Sequence, residues 1–264
     1  MKRLYVSSLK GTRNTNEDTH ETILNLDANL GNVNFFCLFD GHGGQEVSHF
    51  LKRNLPKFFV NDVIKYPINK KYVNKVYDHI QNALKSQPFA QHAGCTGLVA
   101  MHYDVSGTKY LGVINNGDSR CVLCRDNFAV PLTRDHKPAW PEEYHRIVQL
   151  GGKIEHDGYD YRVKDLSVSR AFGDLDAIPY VTHNPDIFRY KIDTASDKFF
   201  IMACDGLWDV LDNSTVTNYI LMRCYDKTLK TRINKSVNIA NELAKFAIEK
   251  GSTDNVTVII YFFD

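Results

Sequence analysis

The chain has 264 residues, 43% of them hydrophobic and 12% aromatic, which suffices to bury a sizeable core. Its formal net charge of +1 gives no electrostatic argument for a nucleic-acid or membrane partner. The longest apolar runs are far shorter than a membrane span, and no signal peptide is visible at the start of the sequence. We therefore expect a monomeric protein of the cytoplasm or nucleus that binds neither nucleic acid nor membrane.

The first third of the chain is predicted to form strands followed by helices. Strands are predicted at residues 4–10, 20–27 and 33–39, with a polar loop at 11–18. Apolar residues at spacings of three and four predict helices at 44–59 and 71–84. The strand at 33–39 is a solid apolar run that stops on the glycine-rich turn DGHGG. This strand would deliver Asp40 and His42 to a turn where backbone can approach a ligand.

From residue 94 the pattern changes to closely spaced strands with short turns, which favours an antiparallel meander. These strands are predicted at 96–104, 108–115, 119–125 and 128–132. Later elements are a helix at 141–150, strands at 186–192 and 198–204, helices at 214–223 and 236–249, and a strand at 256–263. Because no linker or repeat interrupts the sequence, we predict one α+β domain over residues 1–264 with mainly antiparallel pairing.

The cysteines predict buried, reduced thiols, since most of them lie inside apolar runs that resemble strands. Cys121 and Cys124 have the spacing of a zinc or redox pair. A strand would point positions three apart to opposite faces, and no second pair lies nearby. We therefore interpret this pair as structural.

Several acidic residues share one sequence context, the end of an apolar run or a loop beside Gly or Asn. They are Glu17, Asp18, Asp40, Asp118, Asp205 and Asp254. If they converged without a counter-ion, mutual repulsion and desolvation would cost several kcal/mol. All-oxygen ligands select hard ions such as Mg²⁺ or Mn²⁺. Two such ions would lower the pKa of a water molecule and clamp a phosphoryl group.

Eight short motifs, in order, resemble those of the metal-dependent serine/threonine protein phosphatases of the type 2C class. They are Arg13 with Glu17-Asp18, DGHGG at 40–44, GCT at 94–96, GDSR at 117–120, LTRDHKP at 132–138, LSVSRAFGD at 166–174, ACDGLWDV at 203–210 and STDN at 252–255. Each motif alone is weak to moderate, but eight in family order over almost the whole chain are specific. The resemblance implies a four-layer sandwich, in which two mainly antiparallel sheets pack face to face with helices on both outer faces.

The resemblance also implies a dinuclear Mg²⁺ or Mn²⁺ centre. Asp40 matches the ligand that bridges the two ions, and Asp205 and Asp254 match the residues that complete the first site. The carbonyl of Gly41 matches a ligand of the second ion. The bridging water is then expected to attack the phosphate of phosphoserine or phosphothreonine in protein substrates, so no nucleophilic side chain is required.

Further roles follow from the same resemblance. Glu17 and Asp18 match residues that act largely through bound waters, and Asp118 matches a ligand of a weaker third ion found in some relatives. Arg13 matches the arginine that holds the substrate phosphate, a task suited to its planar fork. His42 matches the proposed general acid, which protonates the leaving oxygen.

The chain departs from the family pattern in two places. Cys95 stands where a serine is usual, and only Lys164-Asp165 separates Val163 from Leu166, which shortens the base of an irregular segment at about 139–165. In relatives this segment forms a flap beside the active site.

Other residues of the matching motifs are interpreted as mostly structural; they are His20, His136, Ser169, Arg170, Asp174 and Trp208. Two alternative functions remain open at this point. One is a pseudophosphatase that acts as an adaptor, although the full ligand set argues against it. The other is a metal-dependent phosphodiesterase or nuclease, which the near-neutral charge disfavours.

Overall fold

The computed structural model describes residues 2–26, 33–61, 64–233 and 237–263. The strands are β1 (Leu4–Leu9), β2 (Thr19–Leu26), β3 (Val33–Phe39), β4 (Gly41–His42), β5 (Gly94–Cys95), β6 (Gly97–Val105), β7 (Thr108–Asn116), β8 (Arg120–Arg125), β9 (Phe128–Pro131), β10 (Glu155–His156), β11 (Tyr161–Arg162), β12 (Phe172–Gly173), β13 (Asp186–Lys191), β14 (Asp197–Ala203) and β15 (Val256–Phe262). The α-helices are α1 (Glu46–Asn54), α2 (Pro56–Phe59), α3 (Lys70–Leu84), α4 (Pro141–Gln149), α5 (Asp205–Trp208), α6 (Asn213–Cys224) and α7 (Ile239–Glu249). Residue 27 of a predicted strand, residue 236 of a predicted helix, and residues 1 and 264 of the predicted domain lie outside the described residues.

Two five-stranded sheets form the centre of the fold. The first has the strand order β1-β15-β14-β8-β9, and the second has the order β13-β7-β6-β3-β2. Neighbouring strands within both sheets pair antiparallel. The predicted antiparallel pairing is therefore confirmed.

Three hydrophobic clusters separate four layers. Between the sheets, Phe36 and Leu38 of β3 pack with residues such as Phe200 and Met202 of β14. Helices α1, α2 and α3 cover the outer face of the second sheet, and helices α5, α6 and α7 cover that of the first. The predicted four-layer sandwich is confirmed.

The position of β3 explains why its sequence is apolar throughout. Phe36 and Leu38 point into the space between the sheets, whereas Phe35, Cys37 and Phe39 point toward the helices on the outer face. Both faces of the strand are thus buried, and the sequence runs apolar instead of alternating. Asp40 follows directly, at the point where this buried strand ends.

The cysteine interpretation is also confirmed. All six cysteines are free and buried. On β8, Cys121 belongs to the cluster between the sheets, and Cys124 belongs to the cluster under the helices. Because the two thiols lie on opposite faces of one strand, they cannot form a common metal or redox site.

The structure departs from the predicted elements in two places. The predicted helix at 44–59 is two helices, because Pro56 has no N–H to continue the hydrogen-bond ladder of α1. A three-stranded sheet of two-residue strands, in the order β12-β5-β4, was not predicted. No helix in the described part of the chain is long and apolar enough to cross a membrane.

Candidate active site

Three carboxylates meet where two buried strands of the opposing sheets end. Asp40 follows β3, Asp205 follows β14 at the start of α5, and Asp118 lies in the turn after β7. One oxygen atom from each of these side chains lies within 4.8 Å of the other two. Strand ends from both sheets therefore build the acidic cluster, although its members are far apart in sequence.

Asp18 extends the cluster on one side. An oxygen of this buried side chain lies within 4.8 Å of the carboxylate of Asp40 and the thiol of Cys204. Its Oδ2 accepts a hydrogen bond of 2.6 Å from the hydroxyl of Thr257, and its Oδ1 has no hydrogen-bond partner. Burial and the neighbouring Asp18 raise the pKa of the Cys204 thiol well above its usual value, so this group stays protonated.

The electrostatics of the cluster favour a bound cation. Desolvation and repulsion from Asp205 and Asp18 raise the pKa of Asp40 well above its usual value. Desolvation and repulsion from Asp118 do the same to the pKa of Asp205. Burial raises the pKa of Asp18 to about 6. Like charges held this close destabilise one another unless a cation lies between them.

The orphaned oxygen atoms point to the same conclusion. Oδ1 of Asp18 and Oδ1 of Asp118 are buried and have no hydrogen-bond partner. A buried carboxylate oxygen without a donor is costly, and a cation is a common reason for it. The donor set is dominated by carboxylate oxygens, which suits a hard divalent ion such as Mg²⁺ or Mn²⁺. The residues present therefore fit the ions that the sequence predicts.

Asp254 and Arg13 lie at the edge of this cluster. Arg13 donates a hydrogen bond of 2.7 Å to Oδ2 of Asp254, and 58% of the arginine side chain is exposed. Gly11 adopts a φ of +62°, and a Cβ there would lie 2.0 Å from the carbonyl oxygen of Asp254. The loop that carries Arg13 thus packs closely against the loop that carries Asp254. Among the described residues, Asp254 does not belong to a set of three or more side chains whose ligand atoms all lie within 4.8 Å of one another.

Glu17 and Gly41 also line this site, and the backbone N–H of Glu17 donates a hydrogen bond of 2.8 Å to Oδ1 of Asn255, next to Asp254. Oε2 of Glu17 accepts a hydrogen bond of 3.1 Å from the backbone of Gly44, and Oε1 accepts one from Thr15. Gly41 passes so close to the Glu17 carbonyl that a Cβ would lie 2.7 Å from it. Together with the acidic cluster, these residues line an open cavity of about 590 Å³. Of the predicted site residues, only Asp18 is not part of that lining.

Lys137 lies against the acidic cluster, although its sequence motif predicts no role for it. Its Nζ lies 2.5 Å from Oδ2 of Asp118. Although burial disfavours the charged amine, the carboxylates of Asp118 and Asp205 raise the pKa of Lys137 above its usual value. The ammonium group therefore offsets part of the negative charge on this side of the cluster. The sequence signal was its place in the LTRDHKP motif.

Besides the acidic cluster, the cavity contains the predicted catalytic side chain of His42. Its Nε2 lies 2.9 Å from both oxygens of Asp174, which is buried. Burial disfavours the imidazolium, but the charge of Asp174 outweighs it and raises the pKa of His42 above its usual value. Asp174, interpreted from the sequence as structural, therefore contacts a predicted catalytic side chain.

The small sheet explains how these two side chains meet. His42 is in β4, and Asp174 follows β12, while β5 pairs with both strands. Gly94 of β5 lies between them: a Cβ there would lie 2.1 Å from Oδ2 of Asp174 and 2.4 Å from Nε2 of His42. Glycine at this position is what leaves room for the contact.

The predicted flap segment lies beside the cavity. It contains α4, which the sequence predicts at 141–150, and the two-stranded hairpin of β10 and β11, which the sequence does not predict. Arg162 and Asp165, near its end, line the cavity. Lys164 and Asp165 have φ values of 51° and 65°, which form a tight turn at the shortened base.

The sequence profile described as protein phosphatase 2C matches residues 3–256. The chain belongs to the protein phosphatase 2C family. This finding confirms the resemblance seen in the eight motifs.

Named relatives agree with the phosphatase 2C assignment. A PP2C-like domain-containing protein of Acanthamoeba polyphaga mimivirus is 48% identical over 174 residues, which cover 60% of this chain and 97% of that protein. A probable protein phosphatase 2C of Arabidopsis thaliana is 37% identical over 261 residues, 98% of this chain and 66% of that protein. The solved structure of a serine-threonine phosphatase 2C from Toxoplasma gondii has the same fold. It superposes with a TM-score of 0.77 at 22% identity, over 99% of this chain and 94% of that one.

Proposed function

We propose that the chain hydrolyses phosphoserine and phosphothreonine in protein substrates. The observation that carries this proposal is the convergence of Asp40, Asp118 and Asp205 in the lining of one cavity, which Arg13 and His42 also line. Family membership supports a protein phosphatase, and the open cavity gives a phosphorylated side chain access to the acidic cluster.

The proposed metal centre uses the residues predicted from the sequence. Asp40, Asp205 and Asp254 would hold two Mg²⁺ or Mn²⁺ ions together with the Gly41 carbonyl. Glu17 and Asp18 would hold water molecules bound to these ions, and Asp118 would hold a weaker third ion. Such ions supply a water of lowered pKa for attack on phosphorus and offset the charge of the phosphate.

The remaining tasks fall to side chains of this chain. The exposed guanidinium of Arg13 is available to bind phosphate oxygens in a bidentate manner. Asp174 orients the His42 imidazole and keeps it protonated, so that it can give a proton to the serine or threonine oxygen as the bond to phosphorus breaks. Asp174 is a positioning residue in this scheme.

The test is hydrolysis of a phosphothreonine peptide by purified protein, with Mn²⁺ or Mg²⁺ and with excess EDTA. We expect turnover only with the metal. Asp205→Asn should lower kcat/KM by two or more orders of magnitude, because it removes a charged ligand at little change in size.

The matched control is Asp104→Asn at the far end of β6. Its side chain accepts a hydrogen bond from Gly107, which an asparagine can also accept. This variant should keep full activity. Absence of turnover at millimolar metal, from protein with a cooperative unfolding transition, would overturn the phosphatase proposal.

A further inference from the structure

A second cavity, of about 700 Å³, lies on the outer face of the sheet that ends in β13. Strands β6, β7 and β13 form its floor, and the segment that leads into α3 forms one wall. We call it the β13 groove and define it by Tyr66, Lys70, Tyr103, Gly112, Ile187 and Arg189. None of its lining residues lines the cavity of the candidate active site.

The floor of the groove is open because one strand position has no side chain. Gly112 of β7 pairs with Arg189 on one side and Met101 on the other. A Cβ at Gly112 would lie 3.4 Å from both Met101 and Tyr103, which is ordinary van der Waals contact. A Cβ would therefore fit here without a clash, and the absence of a side chain leaves space above the sheet.

The walls of the groove are aromatic and aliphatic. The rings of Tyr66 and Tyr103 lie 5.0 Å apart between centroids, and the ring of Tyr103 stacks on Tyr110 at 5.9 Å. The guanidinium of Arg189 lies 5.5 Å from the centroid of Tyr110, and Ile187 also lines the floor. An apolar side chain could replace water here with favourable contacts.

The charge of the groove is of one sign. Lys70 and Arg189 line it, and no aspartate or glutamate of the described chain does. Neither cation forms a salt bridge with a carboxylate among the described residues. Asp186, at the start of β13, is already engaged by Arg170 and His136. The groove therefore complements an apolar side chain that is accompanied by a carboxylate.

The strand beside the groove is at the edge of its sheet. β13 pairs with β7 on one side, and no further strand of the described chain pairs with its other side. An edge strand offers backbone donors and acceptors to an extended peptide. In an extended peptide, residues two apart point to the same face. One face could thus present alternating acidic and apolar side chains to Arg189 and to Ile187, which lie two residues apart on the same face of β13.

We propose that the β13 groove binds an extended segment of a partner protein in which acidic and apolar side chains alternate on one face. This interaction is separate from hydrolysis at the acidic cluster and does not depend on it. Strand β6 begins at Gly97, next to Thr96, which lines the active-site cavity, and six residues further along it Tyr103 lies in the groove. Six residues of strand span roughly 20 Å, so both sites can be occupied at once.

The probe is a fluorescein-labelled peptide, Thr-Glu-Thr-Leu-Thr-Glu-Thr-Leu, whose binding is followed by fluorescence polarisation. The matched peptide carries lysine in place of glutamate. We expect the glutamate peptide to bind and the lysine peptide not to bind, because Lys70 and Arg189 are the charged groups that line the groove.

Two variants locate the binding. Arg189→Glu should lower the affinity for the glutamate peptide at least tenfold, because it reverses a charge. Gly112→Leu should also lower this affinity, because its side chain fills the floor of the groove. The control is Lys245→Glu on α7, an exposed residue in the helix layer of the other sheet, which makes the same type of charge reversal. It should leave the affinity unchanged.

Hydrolysis of a short phosphothreonine peptide reports on the fold of each variant, since these three positions lie outside the acidic cluster. Equal binding of the two peptides, no binding at millimolar peptide, or full affinity in both groove variants would overturn the proposal. Concentration-dependent dimerisation that Arg189→Glu abolishes, without peptide binding, would overturn it in favour of a second copy of this chain. Peptide binding is measured without hydrolysis. A failure to bind the peptide would therefore leave the phosphatase proposal standing, and a failure to hydrolyse phosphothreonine would leave the binding proposal standing.

Discussion

The contact between His42 and Asp174 gives the candidate active site a group whose role can be separated from metal binding. Asp174 touches none of the clustered carboxylates. Its carboxylate accepts a hydrogen bond of 2.9 Å from Nε2 of the His42 imidazole. A proton donor matters most when the leaving oxygen is strongly basic. The serine or threonine alkoxide is such a leaving group, whereas p-nitrophenolate leaves readily without a proton.

We predict that His42→Asn lowers kcat on a phosphothreonine peptide by about 10²-fold or more. The same variant should change kcat on p-nitrophenyl phosphate much less, because that leaving group needs no protonation. Asp174→Asn should act in the same direction with a smaller effect, since it leaves the imidazole in place. Steady-state kinetics on both substrates at saturating metal provide the measurement.

An exposed histidine of α4 supplies the control: His145→Asn should alter neither rate. If His42→Asn slowed both substrates to the same degree, His42 would be acting on metal or phosphate binding, and its assignment as the proton donor would be wrong.

At the scale of elements, one buried carboxylate holds α4 against the chain that follows the flap. Oε1 of Glu143 accepts hydrogen bonds from Arg170, and its Oε2 accepts one of 2.8 Å from Arg146. Arg146 also donates to the carbonyls of Tyr180 and Ser169. Although burial opposes ionisation, the two arginines lower the pKa of Glu143 to about 2. Its charge thus stabilises the folded state.

We predict that Glu143→Gln destabilises the protein by about 2–3 kcal/mol at pH 7, because two arginines lose their charged partner. The pKa of Glu143 is lower in the folded chain than the unperturbed value of 4.5. Its contribution is therefore complete above pH 4.5 and is lost as the pH falls toward 2. The difference between variant and wild type should shrink over that window, as measured by urea unfolding at several pH values.

Glu142→Gln is a closely matched control, one residue away on the same helix. Glu142 is exposed and forms a salt bridge with the exposed Arg134, and surface pairs contribute little. Its unfolding midpoint should match that of the wild type. A Glu143→Gln deficit that stayed constant from pH 7 to pH 3 would show that lost packing, not charge, is responsible.

The elements differ in how well they could be predicted. The apolar stripe of the helix predicted at 71–84 gave almost the bounds of α3, because one face of that helix packs on a sheet. The strand β3 was recognised because both of its faces are buried. The pairing of β4, β5 and β12 was missed, because two-residue strands carry no periodicity and their partners are distant in sequence. That sheet is what joins His42 to Asp174.

At the scale of the whole molecule, the acidic cluster couples stability to metal. Asp40, Asp118 and Asp205 come from segments far apart in the sequence and meet only in the folded chain. Folding without a cation must therefore bring like charges together and remove them from water, which opposes the stabilisation gained in the hydrophobic layers. A cation that binds only the folded state stabilises it by mass action.

We predict that Mn²⁺ or Mg²⁺ raises the melting temperature of the wild type and that Asp205→Asn reduces this rise. Without metal, Asp205→Asn should melt about 2–4 °C above the wild type, equivalent to roughly 1 kcal/mol, because it removes one repelling charge. Differential scanning calorimetry in EDTA and at several metal concentrations checks both parts.

Asp104→Asn should behave as the wild type in both conditions, since its side chain lies outside the cluster. A metal-free Asp205→Asn protein that melted below the wild type would mean that the carboxylate stabilises the fold through its protein contacts, contrary to the repulsion inferred here.

The composition of the site could be predicted from sequence better than its geometry. The acidic residues were found because each follows an apolar run or lies in a glycine- or asparagine-rich loop. Their grouping could not be derived, because it depends on how two sheets pack: Asp254 pairs with Arg13, whereas Asp118 lies against Lys137. These pairings link residues 241 and 19 positions apart, which no local pattern encodes.

A substitution at Gly94 offers a way to separate substrate binding from hydrolysis of the phosphate. A Cβ there would lie 2.1 Å from Oδ2 of Asp174 and 2.4 Å from Nε2 of His42 and would displace these two side-chain ends, while the acidic cluster and Arg13 lie elsewhere in the site. Gly94→Ala is thus a route to a substrate trap: a protein that still captures phosphorylated partners but hydrolyses their phosphate groups too slowly to remove them. Such a trap would turn this chain into a reagent for isolating its own substrates.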